Sequence, residues 1–264
     1  MNQDPMNILV LDETAQHHIQ VARLKDRILG AGIQLCSTPS KAGPHTYTLV
    51  HTTDKLELRP PDSSLGQPFS VDFSNSQLLY RLAKGGGRKQ EIARAVGVKK
   101  ETPHIIDATC GFARDGFILA SLGCTVELCE RSPITHALVN DALQRATNNT
   151  QIATIAARIR LHLGDSLELI PSLSSVNPAD VIYLDPMYPH RTKSALVKKQ
   201  MRLLRQIVGQ DTDAAELHAT ALAYARKRVV CKRPNSANFI NDKKPAFAIK
   251  GTKHRFDVYL TNVP

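Results

Sequence analysis

Three short stretches carry residue types suited to holding a polar small molecule, and each lies at the end of an apolar run. The first is Asp107-Ala-Thr-Cys-Gly111-Phe-Ala-Arg114-Asp115-Gly116, closing the run 104–108. Gly111 lets the backbone pass close to a ligand, and the helix start that follows presents N–H groups. The second is Glu130-Arg131-Ser-Pro133, after the run 125–129. Glu130 stands 23 residues beyond Asp107, where a carboxylate can take both hydroxyls of a ribose. The third is Gly164-Asp165-Ser166, after 160–163, where a carboxylate and a hydroxyl can meet an adenine edge. A dinucleotide would call for G-x-G-x-x-G after the first run. Gly111, Ala113 and Gly116 give G-x-A-x-x-G instead, and Asp107 and Asp115 flank the turn. Two carboxylates serve a pyrophosphate poorly. A cofactor with a sulfonium cation and no phosphate suits the acidic turn better, and S-adenosylmethionine is such a molecule. Ordinary strand-end capping by Asp and Ser explains any one of these residues, but not the series.

A fourth stretch, Val181-Ile-Tyr-Leu-Asp185-Pro186-Met187-Tyr188-Pro189, resembles the Asp/Asn-Pro-Pro-Tyr/Phe motif of amino-group methyltransferases. The chemistry accounts for the residue types. An exocyclic base amine is a poor nucleophile because its lone pair is delocalised into the ring. A side-chain oxygen and a fixed backbone carbonyl accept its two N–H bonds and localise that pair. Asp185 and the Pro186 carbonyl are the expected acceptors, with Pro186 stiffening the turn. Tyr188 is the expected stacking platform for a base taken out of its helix.

Ligands of open parallel sheets bind beyond the C-terminal ends of the strands, so the order of elements decides whether these stretches can meet. Residues 104–108, 125–129, 160–163, 181–184 and 228–232 read as strands. Residues 114–122, 134–146, 152–158, 194–208 and 214–226 read as helices. This alternation implies βαβ units and a mostly parallel sheet covered on both faces. The runs 246–249 and 256–260 have no helix between them and are expected to pair as a terminal antiparallel hairpin. Helices at 77–84 and 89–96 flank Gly85-Gly86-Gly87-Arg88, which reads either as a backbone nest for an anion or as a turn. Residues 1–68 form a small α/β region, with a strand at 7–11, a helix at 16–29 and a hairpin from 46–51 and 55–59. The Pro/Gly/Ser loop 59–68 marks the boundary with a second domain, 69–264, which opens on a short alternating strand at 69–73.

The chain has 264 residues and a formal net charge of +10. Residues 186–264 hold 16 Lys+Arg and 5 Asp+Glu, a net of +11, against 18 and 19 before them, a net of −1. The whole excess therefore begins beside Asp185. That asymmetry points to a polyanion docked at one end; a solvated basic surface is the plain alternative. With 42% hydrophobic residues the chain is not globally disordered. No apolar window approaches the ~18 residues that span a bilayer, and the N-terminus does not read as a secretory signal. The five cysteines form no C-x-x-C pair, so they read as free thiols of a reducing cytosol. His17-His18 has no ligand set nearby, and no metal is expected.

Several motifs in order carry a resemblance to a known family. They are Asp107-Ala-Thr-x-Gly-x-x-Arg-Asp, Ala120-Ser-Leu-Gly-Cys124, Glu130-Arg131-Ser-Pro133 and Tyr183-Leu-Asp-Pro-Met-Tyr-Pro-His190. Lys193-Ser-Ala-Leu-Val-Lys-Lys199, Lys227-Arg-Val-Val-x-Lys-Arg-Pro234 and Lys253-His-Arg-Phe-Asp-Val-Tyr259 continue the series, as do Val71-Asp-Phe73 and Gly85-Gly-Gly-Arg88 upstream. Together they are similar to the bacterial small-subunit (16S) ribosomal RNA guanine-N2 methyltransferases, over about residues 69–260. Cys110 and Ala113 stand where that family more often has Ala and Gly.

The resemblance implies a Rossmann-like class I methyltransferase fold and a cytoplasmic enzyme. It implies methyl transfer from S-adenosylmethionine to N2 of a guanosine in 16S ribosomal RNA. It implies cofactor contacts at Arg114, Asp115, Glu130, Arg131, Asp165, Ser166 and Asp185, beside Asp107 and Gly111 from the turn. Arg191, Lys193, Lys198, Lys199 and Arg202 follow the reactive loop and are expected to hold RNA phosphates, with Lys232, Arg233, Lys253 and Arg255 completing a basic rim. Two other readings remain open at this point. One is a non-catalytic RNA-binding or ribosome-assembly protein that kept the fold. The other is an amino-methyltransferase acting on DNA or protein.

Overall fold

The computed structural model describes residues 7–36, 46–62, 66–186 and 213–261. They fall into two compact units. The described part of the first comprises 7–36, 46–62, 66–72 and 132–145; that of the second comprises 73–131, 146–186 and 213–261.

The first unit is built on four strands, β1 (Asn7–Asp12), β2 (Gln34–Cys36), β3 (Thr46–His51) and β4 (Leu56–Arg59), in the order β2-β1-β3-β4. β1 runs parallel to β2 and β3, and β3 and β4 form the expected hairpin. The helix His18–Gly30 buries Val21, Leu24 and Ile28, three residues at helical spacing. The anticipated strand at 69–73 is not formed. Phe69 makes a single bridge to Leu58, and Phe69 and Val71 are buried without a continuous ladder. Alternating burial therefore arose here in an irregular segment. Most of the helix Pro133–Thr147 belongs to this unit, where Arg145 pairs with Asp141 at 2.9 Å and reaches the Val71 carbonyl.

The second unit carries seven strands: β5 (His104–Asp107), β6 (Thr125–Glu130), β7 (Ile159–Leu163), β8 (Val181–Leu184), β9 (Arg228–Pro234), β10 (Phe247–Lys250) and β11 (His254–Leu260). Their order is β10-β11-β9-β8-β5-β6-β7. β5 to β9 are parallel, as the alternation of runs implies; β11 enters antiparallel between β9 and β10. The fold is a Rossmann-like α/β sheet. From β5 the chain adds β6 and β7 on one side and β8 and β9 on the other. The switch point of an open α/β sheet, where ligands bind, thus lies between the ends of β5 and β8. Central strands read as continuous apolar runs because both faces are covered: Ile105, Ile106, Ile182 and Leu184 are fully buried.

The helix Arg114–Ser121 presses on β6 because residue 116 is glycine. A Cβ there would stand 2.5 Å from a Leu128 methyl, which forces a shift. One helix, Ser166–Val176, has no counterpart in the sequence reading. Pro171 lies inside it and reads as a breaker, although Asp165 caps its start and Ile170 and Ser174 are buried on one side. Gly86 and Gly87 take left-handed backbone and lead into a short 3-10 turn over Gly87–Lys89. Four of the five cysteines are buried, and burial pushes the Cys124 and Cys129 thiols up to about 12. Among the described residues no helix is long and apolar enough to cross a membrane.

Within the β9–β11 pair, Arg255 forms a fork with Asp257, at 2.8 Å and 3.0 Å, and both side chains are buried. The same guanidinium donates to the carbonyls of Pro234, Asn235 and Ala237 and so holds the loop after β9. Removing one partner of such a pair leaves a buried charge uncompensated, at a cost of ~3–5 kcal/mol. Asp257→Asn is accordingly expected to lower the unfolding free energy from urea titration by ~3–5 kcal/mol, with a lower midpoint; an unchanged midpoint would refute the clamp.

Candidate active site

The C-terminal ends of β5 and β8 bring two aspartates to the switch point. The Asp107 carboxylate accepts from the Thr109 N–H at 3.2 Å, and the Thr109 hydroxyl accepts from the Asp185 N–H at 2.6 Å. Thr109 therefore fastens the first residue after β8 to the turn after β5. A third aspartate, Asp115, comes from the first turn of the following helix. Its Oδ2 accepts from the Tyr183 hydroxyl at 2.8 Å and from Lys232 Nζ at 2.7 Å. The same Nζ donates to Asp185 Oδ2 at 2.8 Å. Lys232, on β9, thus joins the acidic turn to the reactive motif.

Burial and charge divide the three carboxylates. Burial pushes Asp107 up to about 8, helped by Asp115 and Asp185 and opposed by the Thr109 N–H and Lys232. Burial also presses on Asp115, but Lys232 and the Tyr183 hydroxyl outweigh it and hold that carboxyl below its ordinary value. Asp185 is raised, by burial first and by Asp115, against the pull of Lys232. The two carboxylates in turn raise Lys232 well above its ordinary value despite its burial.

Asp107 has a consequence for stability. Its carboxyl ionises near ~3.9 in an unfolded chain and at about 8 when folded. Between these values the folded state holds a proton that the unfolded state has released, so this group's contribution to stability falls as pH rises from ~4 to ~8. Asp107→Asn is expected to flatten that decline in thermal midpoint measured from pH 5 to 8. An identical slope in both proteins would show that Asp107 does not carry the linkage.

The remaining turns close around the same edge. Gly111 and Ala113 adopt left-handed backbone, with φ of 52° and 55°. This curl directs the Gly111 N–H onto Glu130 Oε2, at 3.1 Å, at the end of β6. At the end of β7, Asp165 caps its helix by accepting from the Leu167 N–H at 2.8 Å, and the Ser166 hydroxyl donates to the Ala108 carbonyl at 2.6 Å. Ser166 therefore buttresses the first turn. Arg114 is exposed at the start of its helix, and Arg131 pairs with Asp213 at 2.9 Å.

The structure corrects part of the basic rim. Lys232 points between two carboxylates rather than toward solvent, and Arg233 and Arg255 are buried, donating to backbone carbonyls after β9. Alternate residues of a strand face opposite sides, so cations at consecutive positions cannot share one outer surface. Lys253 is exposed. Met187, Tyr188, His190, Arg191, Lys193, Lys198, Lys199, Arg202 and the helix expected at 194–208 lie outside the described residues. Thr109, Tyr183 and Lys232 in its inward role were not singled out from the sequence. The signal for Tyr183 was a phenol inside an otherwise apolar strand, which must find a partner when buried.

The geometry belongs with a family. A family model for SAM-dependent methyltransferases matches residues 34–261. The chain is 46% identical over 232 residues to the ribosomal RNA small subunit methyltransferase J of Nitrosococcus oceani, covering 88% of this chain and 91% of that protein. The chain belongs to the methyltransferase J family. The Tolumonas auensis member is 43% identical over 255 residues, 96% of this chain and 98% of its own. A crystal structure of a SAM-dependent methyltransferase from Neisseria gonorrhoeae aligns with a TM-score of 0.72 at 35% identity, over 96% of this chain and 95% of that one.

The methyl donor of this methyltransferase J family member is S-adenosylmethionine (SAM). The donor set at the sheet edge fits it. Carboxylates at 115, 130, 165 and 185 suit hydroxyls, amines and a sulfonium, and they would repel a pyrophosphate. Among the described residues no group of three His, Cys, Asp or Glu side chains could hold a metal ion.

Proposed function

We propose that the enzyme transfers the methyl group of SAM to the exocyclic N2 of a guanosine in 16S ribosomal RNA. The observation that carries this reading is the placement of Asp185: its N–H is fixed by Thr109 and its Oδ2 by Lys232, at the switch point of the sheet. The relatives' name, ribosomal RNA small subunit methyltransferase J, supplies the substrate class. Glu130 would take the ribose hydroxyls, Asp165 the adenine edge, and Asp115 the cationic methionine end. Asp107, Gly111, Arg114, Arg131 and Ser166 would shape the turns around them.

Asp185 and the Pro186 carbonyl accept the two N–H bonds of the target amine and localise its lone pair toward the methyl group. Tyr188 stacks on the extruded base. Bound SAM supplies an electrophilic methyl on a sulfonium, so that the new C–N bond forms as the C–S bond breaks and its electron pair goes to sulfur. The nitrogen then sheds a proton, and ionised Asp185 is the acceptor beside it. Because no covalent enzyme intermediate is needed, alignment of nitrogen and methyl contributes much of the rate. Arg191, Lys193, Lys198, Lys199, Arg202 and Lys253 would meet phosphates, giving affinity and salt dependence rather than base choice. 16S ribosomal RNA, naked or within the small ribosomal subunit, is the partner, and the cytoplasm is the place of action.

Transfer of tritium from labelled SAM to 16S RNA, 30S particles, DNA and protein in parallel tests the reading. Label in RNA, mapped to N2 of one guanosine, is the expected result; label confined to DNA or protein would overturn it.

A further inference from the structure

We propose that the groove beside β10 is a subsite for an unpaired RNA nucleotide flanking the target guanosine, with Phe239 as its stacking platform; this rests on the RNA methyltransferase reading above. The loop between β9 and β10, together with β10 and β11, borders an open groove of about 450 Å³ lined by Asn235, Asn238, Phe239, Asp242, Lys250 and Arg255, among others. That is the size range of small-molecule sites.

The platform is built rather than incidental. Phe239 is 38% exposed, and the Arg255 guanidinium lies 5.1 Å from its ring centroid. Arg255 is itself pinned by buried Asp257 and by three loop carbonyls. Two consecutive non-glycine residues, Asn241 and Asp242, hold left-handed backbone, with φ of 53° and 50°. Asn241 ties the loop to the Ala215 carbonyl at 2.8 Å. A strained loop, clamped by a buried ion pair, that leaves an aromatic ring exposed is better suited to holding a ligand than to packing.

The polar groups around the ring select the ligand. Asn235 donates through Nδ2 to the Gly251 and Thr252 carbonyls, and its Oδ1 accepts nothing among the described residues. The Asn238 amide makes no side-chain hydrogen bond among them. Both can therefore address the edge of a base. Lys243, Lys244, Lys250 and Lys253 are exposed around the loop, and none is in an ion pair among the described residues, which suits phosphates. An apolar peptide would leave these amides and cations unmatched.

Position links the groove to the chemistry. β10 runs parallel to β9 and β8, so its C-terminal end lies on the edge that carries Asp185. At strand spacings of roughly 4.8 Å, the groove begins within about 15 Å of Asp185 along that edge. A single RNA strand with its guanosine at Asp185 can place a neighbouring nucleotide there.

The test uses the full-length enzyme and a single-stranded RNA carrying 2-aminopurine beside the methylated guanosine. Phe239→Ala is expected to weaken RNA binding about tenfold or more and to remove the stacking quench, since one stacked base contributes ~1–3 kcal/mol. Phe239→Trp should preserve both. SAM affinity by calorimetry and the thermal midpoint should not change. A second variant, Asn238→Ala with Lys250→Ala, alters only exposed side chains and should also weaken binding and reduce the salt slope by about one. If the wild-type enzyme methylates RNA and both variants bind it as tightly as wild type, the subsite is overturned while the methyltransferase reading stands. If the wild-type enzyme labels only DNA or protein, both fall.

Discussion

Asp185→Ala is expected to reduce methyl transfer to RNA by about 10²- to 10³-fold, the loss typical when one preorganised polar contact to a reacting centre is deleted. The fold should survive. The Asp185 side chain is 40% exposed, and its backbone N–H bond to Thr109 does not depend on the carboxylate. Lys232 keeps Asp115 as a partner in the variant. Binding of SAM by calorimetry, with an unchanged thermal midpoint, separates lost chemistry from lost structure. Asp185→Asn divides the role further: it retains an oxygen acceptor for one N–H but removes the negative charge and the proton acceptor. It should fall between wild type and Asp185→Ala. Full activity of Asp185→Ala would remove Asp185 from the mechanism.

The second large effect is expected at Lys232. Its ammonium lies within 2.8 Å of both Asp115 and Asp185. Replacement by Met leaves two carboxylates facing each other without the cation between them, and like charges in one site cannot both ionise easily. Asp185 is already raised by burial and by Asp115, so it rises further. Ionised Asp185 is the working form, and the acid limb of the kcat profile should therefore move to higher pH. Activity near neutrality should fall about tenfold or more and recover in part at pH 9. Stability should fall by ~1–3 kcal/mol, less than for a wholly buried pair because the group retains some water access. A merely structural lysine would lower stability and leave the limb in place, and that outcome would exclude the positioning role.

The sheet was legible because both of its faces are covered, which makes each central strand an uninterrupted apolar run with a helix between successive runs. The edge residues followed from topology, since ligands gather where those runs end. Three parts were not legible, for separate physical reasons. Pro171 disguised a helix whose capping Asp165 was visible but read as a ligand contact. Phe69 and Val71 imitate a strand by alternating burial without a ladder. The charge count treated all cations alike, although Lys232, Arg233 and Arg255 are directed inward and neutralise carboxylates or cap carbonyls. A linear sequence records that a lysine is present in a strand; only register with β8 and β11 shows that it faces Asp185 and not solvent.

The last strand pairs on both sides. β11 fills the slot between β9 and β10, so neither has its neighbour until residues 254–260 have been made. During synthesis the long edge of β9, which bears Lys232, remains open, and the clamp of Arg255 on the loop after β9 does not yet exist. Loss of residues 254–260 would remove the clamp on the loop after β9 and the strand that pairs with both β9 and β10 together.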